Sequence, residues 1–321
     1  RLDEWFLDTF GEMDRYYFST PGRTEIGGNH TDHNHGRVLA ASIDLDSIAV
    51  AAPGGDDTVI LHSEGYGDAY IVDVSDQEAK AEERGSTAGL IRGIAAGLRS
   101  RGYKAAGFKA VMTSDVLPGS GLSSSASVEV LIGSIFNALF NENKITPEEL
   151  AQAGQFAENE YFGKPCGLMD QMACAVGGII TIDFANPARP EVRRVKFDFT
   201  SQNYNLLVVD TGGNHADLTP DYAAVPSEMK KVAGLLGKNV CREISRLELY
   251  ENIARIRNEL GDRAFLRAFH FLRENQRVLD QVSALEKGDF GKFLTLVQDS
   301  GKSSFKWLQN VYSSQNINDQ G

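Results

Sequence analysis

The run Leu117-Pro118-Gly119-Ser120-Gly121-Leu122-Ser123-Ser124-Ser125-Ala126 limits what this chain can fold into more than any other stretch of its 321 residues. Ahead of it, Phe108–Thr113 alternates apolar and polar residues as a half-buried strand does, and behind it Ser124–Phe140 is apolar and helix-length. A strand, a glycine-rich turn and a helix in that order present the first helical N–H groups, and the positive end of the helix dipole, to whatever sits at the turn. Glycines let the backbone approach a ligand closely. Three consecutive hydroxyls add donors for phosphate oxygens, or an oxygen ligand for Mg2+. The chemistry is that of a phosphate cradle. On these residues alone a Ser-rich helix cap after an ordinary loop remains open, because Ser and Gly favour helix starts. Two competing motifs fail. A P-loop needs GxxxxGK[ST], but Gly301-Lys302-Ser303 has Leu296 at the first glycine position, and Gly237-Lys238 runs into Asn239. A nucleophile elbow needs G-x-S-x-G, and Ser125 stands two residues after Ser123 where the second glycine belongs.

The rest of the chain mixes strand and helix patterns. Residues 38–50 alternate as a strand, and Val59–His62 and Tyr70–Val74 read as two more, with turns at Pro53-Gly54-Gly55 and Gly65–Gly67. Thr87–Arg101 switches to helical spacing, with Leu90, Ile91, Ile94, Ala95 and Leu98 on one face. Thr146-Pro147-Glu148-Glu149 is a capping box with proline at the first helical position, which predicts a helix to about Phe162. Gly178–Phe184 and Asn205–Asp210 are strand-like, and beyond Asp217 the pattern is mostly helical. There is no regular βαβ rhythm, so the expected class is α+β rather than doubly wound. A composition shift near residue 200 predicts two domains, 1–200 and a more helical 201–321.

Composition narrows the partners. Lys and Arg total 32 against 44 Asp and Glu, a net charge of −12. A surface this acidic repels phosphate backbones and anionic headgroups, which argues against nucleic-acid and membrane roles. Cys166, Cys174 and Cys241 form no CxxC pair and fit free thiols in a reducing compartment. No apolar run approaches the roughly 20 residues that span a bilayer, and no signal-peptide pattern opens the chain. The expectation is a cytoplasmic protein. Because the chain opens at Arg1 rather than Met, some residues are expected to precede it.

Two further segments carry chemistry. Residues 21–36 read as a polar loop ahead of the first strand: Asn29, His30 and Asp32 are short hydrogen-bonding side chains suited to sugar hydroxyls, and Arg23 is a permanent cation. His30, His33 and His35 beside Asp32 are also zinc-ligand types, but no second ligand cluster accompanies them. The other segment follows Glu158: Phe162-Gly163-Lys164-Pro165-Cys166-Gly167-Leu168-Met169-Asp170-Gln171 sets a carboxylate beside glycines at the start of an apolar stretch. Asp170 there could be a general base, or simply a helix cap.

Taken together and in this order, the three segments resemble the galactokinase branch of the GHMP small-molecule kinases. The first is similar to G-R-x-N-x-I-G-E-H-T-D-Y, the second matches P-x-G-x-G-L-S-S-S-A, and the third carries C-G-x-M-D-Q. The resemblance implies two α+β domains and transfer of a phosphoryl group from ATP to the anomeric hydroxyl of galactose. It implies Asp170 as the base and Arg23 as stabiliser of that carboxylate and of the transferring phosphoryl. Gly119, Ser120, Gly121, Leu122, Ser123, Ser124 and Ser125 would wrap the ATP phosphates, Ser125 and Glu158 would hold Mg2+, and Ser63 would touch the nucleotide. Asn29, His30, Asp32, Gly167 and Tyr222 match sugar-contacting positions. The sequence departs from the pattern at Asn29, where the family has Glu, at Glu25 (Asn), Gly27 (Ile) and His33 (Tyr). Residues 85–98 carry no Trp to flank adenine, and the family's glycine-rich third motif does not occur before Gly321, so an incomplete C-terminal domain is expected. Two alternatives follow: a GHMP kinase for another sugar, such as N-acetylgalactosamine or arabinose, or a non-catalytic sensor of sugar and ATP.

Overall fold

The stretch RVLAASIDLDSIAVAAP becomes β2 (Arg37–Pro53), and its two halves serve two different compact units. The structure, a computed structural model, describes residues 1–164, 166–207, 209 and 219–312. The first unit comprises Arg1–Thr24 and Ser42–Gly177, the second Glu25–Ala41 and Gly178–Gly321. This differs from the expected division at residue 200. Composition reports surface charge, whereas the units follow packing, which exchanges at Gly177–Gly178 and assigns residues 25–41 to the second.

In the first unit the sheet order is β4 (Tyr70–Asp73), β3 (Thr58–Ser63), β5 (Phe108–Ser114) and β2. β3 lies parallel to β5, and the β3–β4 and β2–β5 pairs are antiparallel. Ala49 and Ala51 of β2, with Ala110 and Met112 of β5, face a core closed by α2 (Thr87–Arg99), α3 (Ser124–Phe140) and α4 (Pro147–Phe156). Val50, Ala52 and Val111 face the other way, under Phe6 of α1 (Leu2–Phe10). Over Ala49–Ala52 and Ala110–Met112 both faces are buried and the run is continuously apolar, unlike the half-buried alternation expected along these strands. Phe108 and Phe136 meet edge to face at 5.2 Å, both fully buried, and each such burial contributes about 1.5–3 kcal/mol. Gly93 of α2 permits a close helix contact: a Cβ there would lie 2.7 Å from the Cα of Ala157.

The capping box forms as expected: Thr146 Oγ1 accepts from Glu149 N, and Glu149 accepts from Thr146 N. Residues 21–27, expected as the first part of a loop, instead belong to β1 (Tyr16–Gly27), which pairs with β2. Pro21 and Gly22 mislead there, because glycine serves close approach rather than a turn: a Cβ on Gly22 would stand 2.9 Å from the carbonyl oxygen of Leu122.

In the second unit Arg37–Ala41 of β2 pairs antiparallel with β6 (Ile179–Asp183), and β6 with β7 (Glu191–Arg194). The helices are α6 (Thr219–Leu235), α7 (Arg246–Glu251), α8 (Ile253–Leu260), α9 (Asp262–Glu286) and α10 (Phe290–Ser303). α9 joins two cores, one with Val225 and Met229 of α6 against Phe265, Ala268 and Phe271, the other with Leu39 against Val278, Val282 and Phe293 of α10. The strand expected at Asn205–Asp210 does not form over 205–207, and residues 208 and 210 lie outside the described residues. Among the described residues no helix is long and apolar enough to cross a membrane.

Candidate active site

The Gly/Ser loop turns through three left-handed residues, Gly119 (φ 76°), Gly121 (φ 75°) and Ser123 (φ 61°). At Ser123 a Cβ makes that conformation cost on the order of 1–3 kcal/mol, which surrounding structure must hold in place. What holds it is visible. Ser123 occupies the N-cap of α3 yet makes no side-chain cap; its Oγ donates instead to Asp170 Oδ2 at 2.6 Å. The hydroxyl that would ordinarily satisfy one of α3's first N–H groups is diverted to a carboxylate, so Ser123 does not cap them. Ser120 Oγ donates to Leu117 O at 2.6 Å within the loop, and Leu122 is buried.

Asp170 lies in the first turn of α5 (Met169–Val176). Its Oδ1 accepts from Arg23 Nε at 2.8 Å, while Arg23 Nη1 donates to Gly121 O at 2.6 Å. β1 delivers the guanidinium there, with Arg23 N donating to Leu122 O at 3.1 Å. Burial pushes the Asp170 carboxyl up, but the charge of Arg23 and the hydrogen bonds from Arg23 and Ser123 outweigh it and hold the group below the usual carboxylate range. Asp170 is therefore an ionised, oriented acceptor beside a helix N-terminus.

Glu158 is placed by a backbone irregularity. After α4 the helix widens into a π turn over Ala157–Phe162, ending at Gly163 (φ 85°), and the N–H groups of Gly163 and Lys164 both reach Glu158 O at 3.0 Å. Such widened turns recur at functional sites. The Glu158 carboxylate is only 3 % exposed. Its Oε2 accepts from Gln171 Nε2 at 2.9 Å, and its Oε1 has Ser125 Oγ and Lys164 Nζ each at 3.3 Å. One carboxylate oxygen and one hydroxyl are hard oxygen donors of the kind a hard cation takes, and the Lys164 ammonium beside that oxygen is the positive charge it now attracts. Among the described residues no group of three or more His, Cys, Asp or Glu is placed to hold a metal. A cation at Ser125 and Glu158 would complete its shell with water and phosphate oxygens, as Mg2+ characteristically does.

Residues 28–36, in the second unit, are tightly built. A Cβ on Gly28 (φ 97°) would fall 2.4 Å from Arg37 O, so only glycine fits. Thr31 Oγ1 donates toward Gly28 O at 2.8 Å, and Gly28 N donates to Glu274 Oε1 at 3.3 Å. Asn29 Nδ2 donates to Ser304 Oγ at 2.8 Å, and His270 bridges Asn29 O (3.0 Å) and Ser303 Oγ (2.9 Å). The ring of His30 stands 5.0 Å from that of Tyr222 in α6, and His33 Nε2 lies 3.4 Å from the Tyr222 hydroxyl. Burial, then the neighbouring His33, lowers His30 to about 3, so it is neutral at physiological pH. Asp32 sits 3.7 Å from His33 Nε2.

The first unit thus brings together residues 119–125, Arg23, Asp170 and Glu158, with Gly167 just ahead of α5. Ser63 closes β3 opposite Met112, and among the described residues no hydrogen bond links it to the loop. The second unit gathers Asn29, His30, Asp32 and Tyr222. Sequence reading missed His270, Ser303 and Ser304, which lie in charged helical sequence without a local motif, and Glu129, a lone carboxylate in an apolar helix.

Known proteins resemble this chain in sequence and in fold. Residues 89–178 match the GHMP kinases N terminal domain, and residues 4–53 match the galactokinase galactose-binding signature. Fold and loop are those of the GHMP kinases. A galactokinase of Lacticaseibacillus casei (strain BL23) is 31% identical over 307 residues, covering 93% of this chain and 76% of the relative. A galactokinase of Streptomyces coelicolor is 30% identical over 291 residues, covering 90% and 73%. The crystal structure of Lactococcus lactis galactokinase complexed with galactose superposes with a TM-score of 0.79 at 27% identity, over 97% of this chain and 80% of that one. The chain belongs to the galactokinase family.

Proposed function

We propose that this chain transfers the γ-phosphoryl group of ATP to the anomeric hydroxyl of galactose, forming galactose 1-phosphate and ADP. The observation that carries the reading is Asp170, ionised and fixed between Arg23 and Ser123 at the mouth of the glycine-rich loop. Asp170 orients the sugar hydroxyl and takes its proton as the oxygen bonds to γ-phosphorus and the bridging oxygen leaves with ADP. A carboxylate so strongly paired is a weak base, so the proton moves late, once bond formation has acidified the hydroxyl. A loose transition state tolerates that timing. The α3 N–H groups and loop residues 119–125 receive the phosphates, and Arg23 offsets charge on the transferring group. Ser125 and Glu158 are the residues assigned to Mg2+, which when bound neutralises charge on the phosphate oxygens. Asn29, His30, Asp32 and Tyr222, with Gly167, are assigned to the sugar, and Ser63 to the nucleotide.

Phosphoryl transfer needs positioning and charge rather than covalent chemistry from the protein, and these groups supply both. One observation keeps a second sugar in view. Asn29 is a neutral amide engaged with Ser304, at the position where the resemblance has a carboxylate. The test is ADP release with galactose, N-acetylgalactosamine and arabinose in parallel. A response to galactose above the other two supports the proposal; silence with galactose beside turnover of another sugar selects the second reading. ATP binding without turnover of any sugar would make the protein a sensor.

A further inference from the structure

Beneath the loop, in the first unit, two buried carboxylates share one amide. Gln171, the residue after Asp170, is fully buried, and Glu129 on α3 is 1 % exposed. Gln171 Nε2 donates to Glu129 Oε2 and to Glu158 Oε2, both at 2.9 Å. An amide nitrogen has two hydrogens, and both are used. The remaining oxygens of the pair, Glu129 Oε1 and Gln171 Oε1, are buried without a partner. Leaving such atoms unmatched costs on the order of 1–3 kcal/mol each, a penalty an apolar pair would avoid. The fold also makes room for the arrangement. A Cβ on Gly154 of α4 would lie 3.0 Å from Glu129 Oε2 and 3.2 Å from Gln171 Cγ.

We propose that Glu129 is a positioning residue: by holding the Gln171 amide from the side opposite Glu158, it fixes the rotamer of the Glu158 carboxylate and keeps Oε1 turned toward Ser125. This rests on the assignment of Ser125 and Glu158 to the divalent cation. Without Glu129, the Gln171 amide keeps only Glu158 and a weak contact to Cys166 Sγ at 3.6 Å, and can rotate about its terminal torsion, which is broad for Gln. Glu158, whose carbonyl sits in the π turn, then loses the hydrogen bond that orients its far oxygen. Outer partners of this kind orient ligands, and removing one typically weakens metal affinity about 10–100-fold. Burial, then the charge of Glu158, holds Glu129 well above the usual carboxylate range.

The test uses the full chain with Mn2+ as probe, its affinity read by electron paramagnetic resonance in the presence of a non-hydrolysable ATP analogue. Glu129→Gln keeps an oxygen for Gln171 Nε2; Glu129→Leu offers none. The expected result is Mn2+ affinity within about threefold of wild type for Glu129→Gln and at least about tenfold weaker for Glu129→Leu. Metal-free binding of the analogue should be unchanged in both. Gly154→Ala, which retains every polar group and only crowds the pair, replaces Glu129→Leu if that variant does not fold, and should also weaken Mn2+ binding. Wild-type affinity in Glu129→Leu or, in its place, Gly154→Ala overturns the proposal, as does equal loss in Glu129→Gln and Glu129→Leu. Glu158→Ala separates the underlying assignment: unchanged affinity there sinks both, whereas weakened affinity beside a normal Glu129→Leu sinks the positioning role alone.

Discussion

Replacing Arg23 with Met removes both the Nε contact to Asp170 at 2.8 Å and the Nη1 contact to Gly121 O at 2.6 Å. Two unit charges about 4 Å apart interact by about 4 kcal/mol at an effective dielectric of 20. The Asp170 side chain is 35% exposed, so solvent screening reduces the usable part to roughly 1–2 kcal/mol, which moves a carboxyl by about one pH unit. The direction follows from the sign of the present shift. Arg23 holds Asp170 low, so the acid limb of the kcat/KM profile should climb toward neutral pH when it is gone. The turnover loss is larger under the proposal that Arg23 also offsets charge on the transferring phosphoryl: about 10²–10³ in kcat, or roughly 2.7–4 kcal/mol. Arg23→Lys should fall between, since one ammonium cannot span both acceptors as a guanidinium does. The assay is steady-state ADP release across pH, with galactose varied at saturating ATP so that kcat and kcat/KM are both obtained. A Met variant whose kcat stays within about threefold of wild type, with an unmoved acid limb, would refute the reasoning.

Gly93→Ala gains roughly 1 kcal/mol of helix propensity, yet its Cβ would meet Ala157 Cα at 2.7 Å, so net destabilisation of about 1–3 kcal/mol is expected from urea unfolding. Since Ala157 precedes Glu158, the same variant should weaken Mn2+ binding; unchanged stability and affinity would contradict the packing. His270→Ala leaves Asn29 O and Ser303 without their bridge, so about 1–3 kcal/mol of stability should be lost. Its sugar KM should rise while its ATP KM stays put, and a shift in ATP KM alone would count against residues 28–36 as the sugar loop.

Much of the first unit was legible because its local signals agree. The Ser-rich loop predicts a helix from Ser124 and α3 begins there, while Thr146 and Glu149 form the box their spacing predicts. β1 was not legible, since Pro21 and Gly22 are ordinary turn formers and their reason, the approach to Leu122 O, lies 100 residues away in the chain. α1 also escaped notice: it is nine residues long, has no side-chain cap, and owes its place to Phe6 packing under β2 and β5. The same separation governs the site. Arg23 and Asp170 are 147 residues apart, and no periodicity reports that they share a hydrogen bond; only the family resemblance anticipated it. Glu129 lay beyond both kinds of reading, because a carboxylate inside an apolar helix acquires meaning only when Gln171 and Gly154 are seen against it.

The central claim concerns Asp170, and Asp170→Asn tests it most directly. Asparagine keeps the shape and one oxygen but cannot take the proton, and it gives up the charge that pairs with Arg23. Calorimetric titration with a non-hydrolysable ATP analogue, beside ADP release with galactose, gives both halves of the answer. The account predicts analogue affinity within about threefold of wild type and turnover reduced by at least about 10³-fold. Near-normal turnover in Asp170→Asn would contradict it.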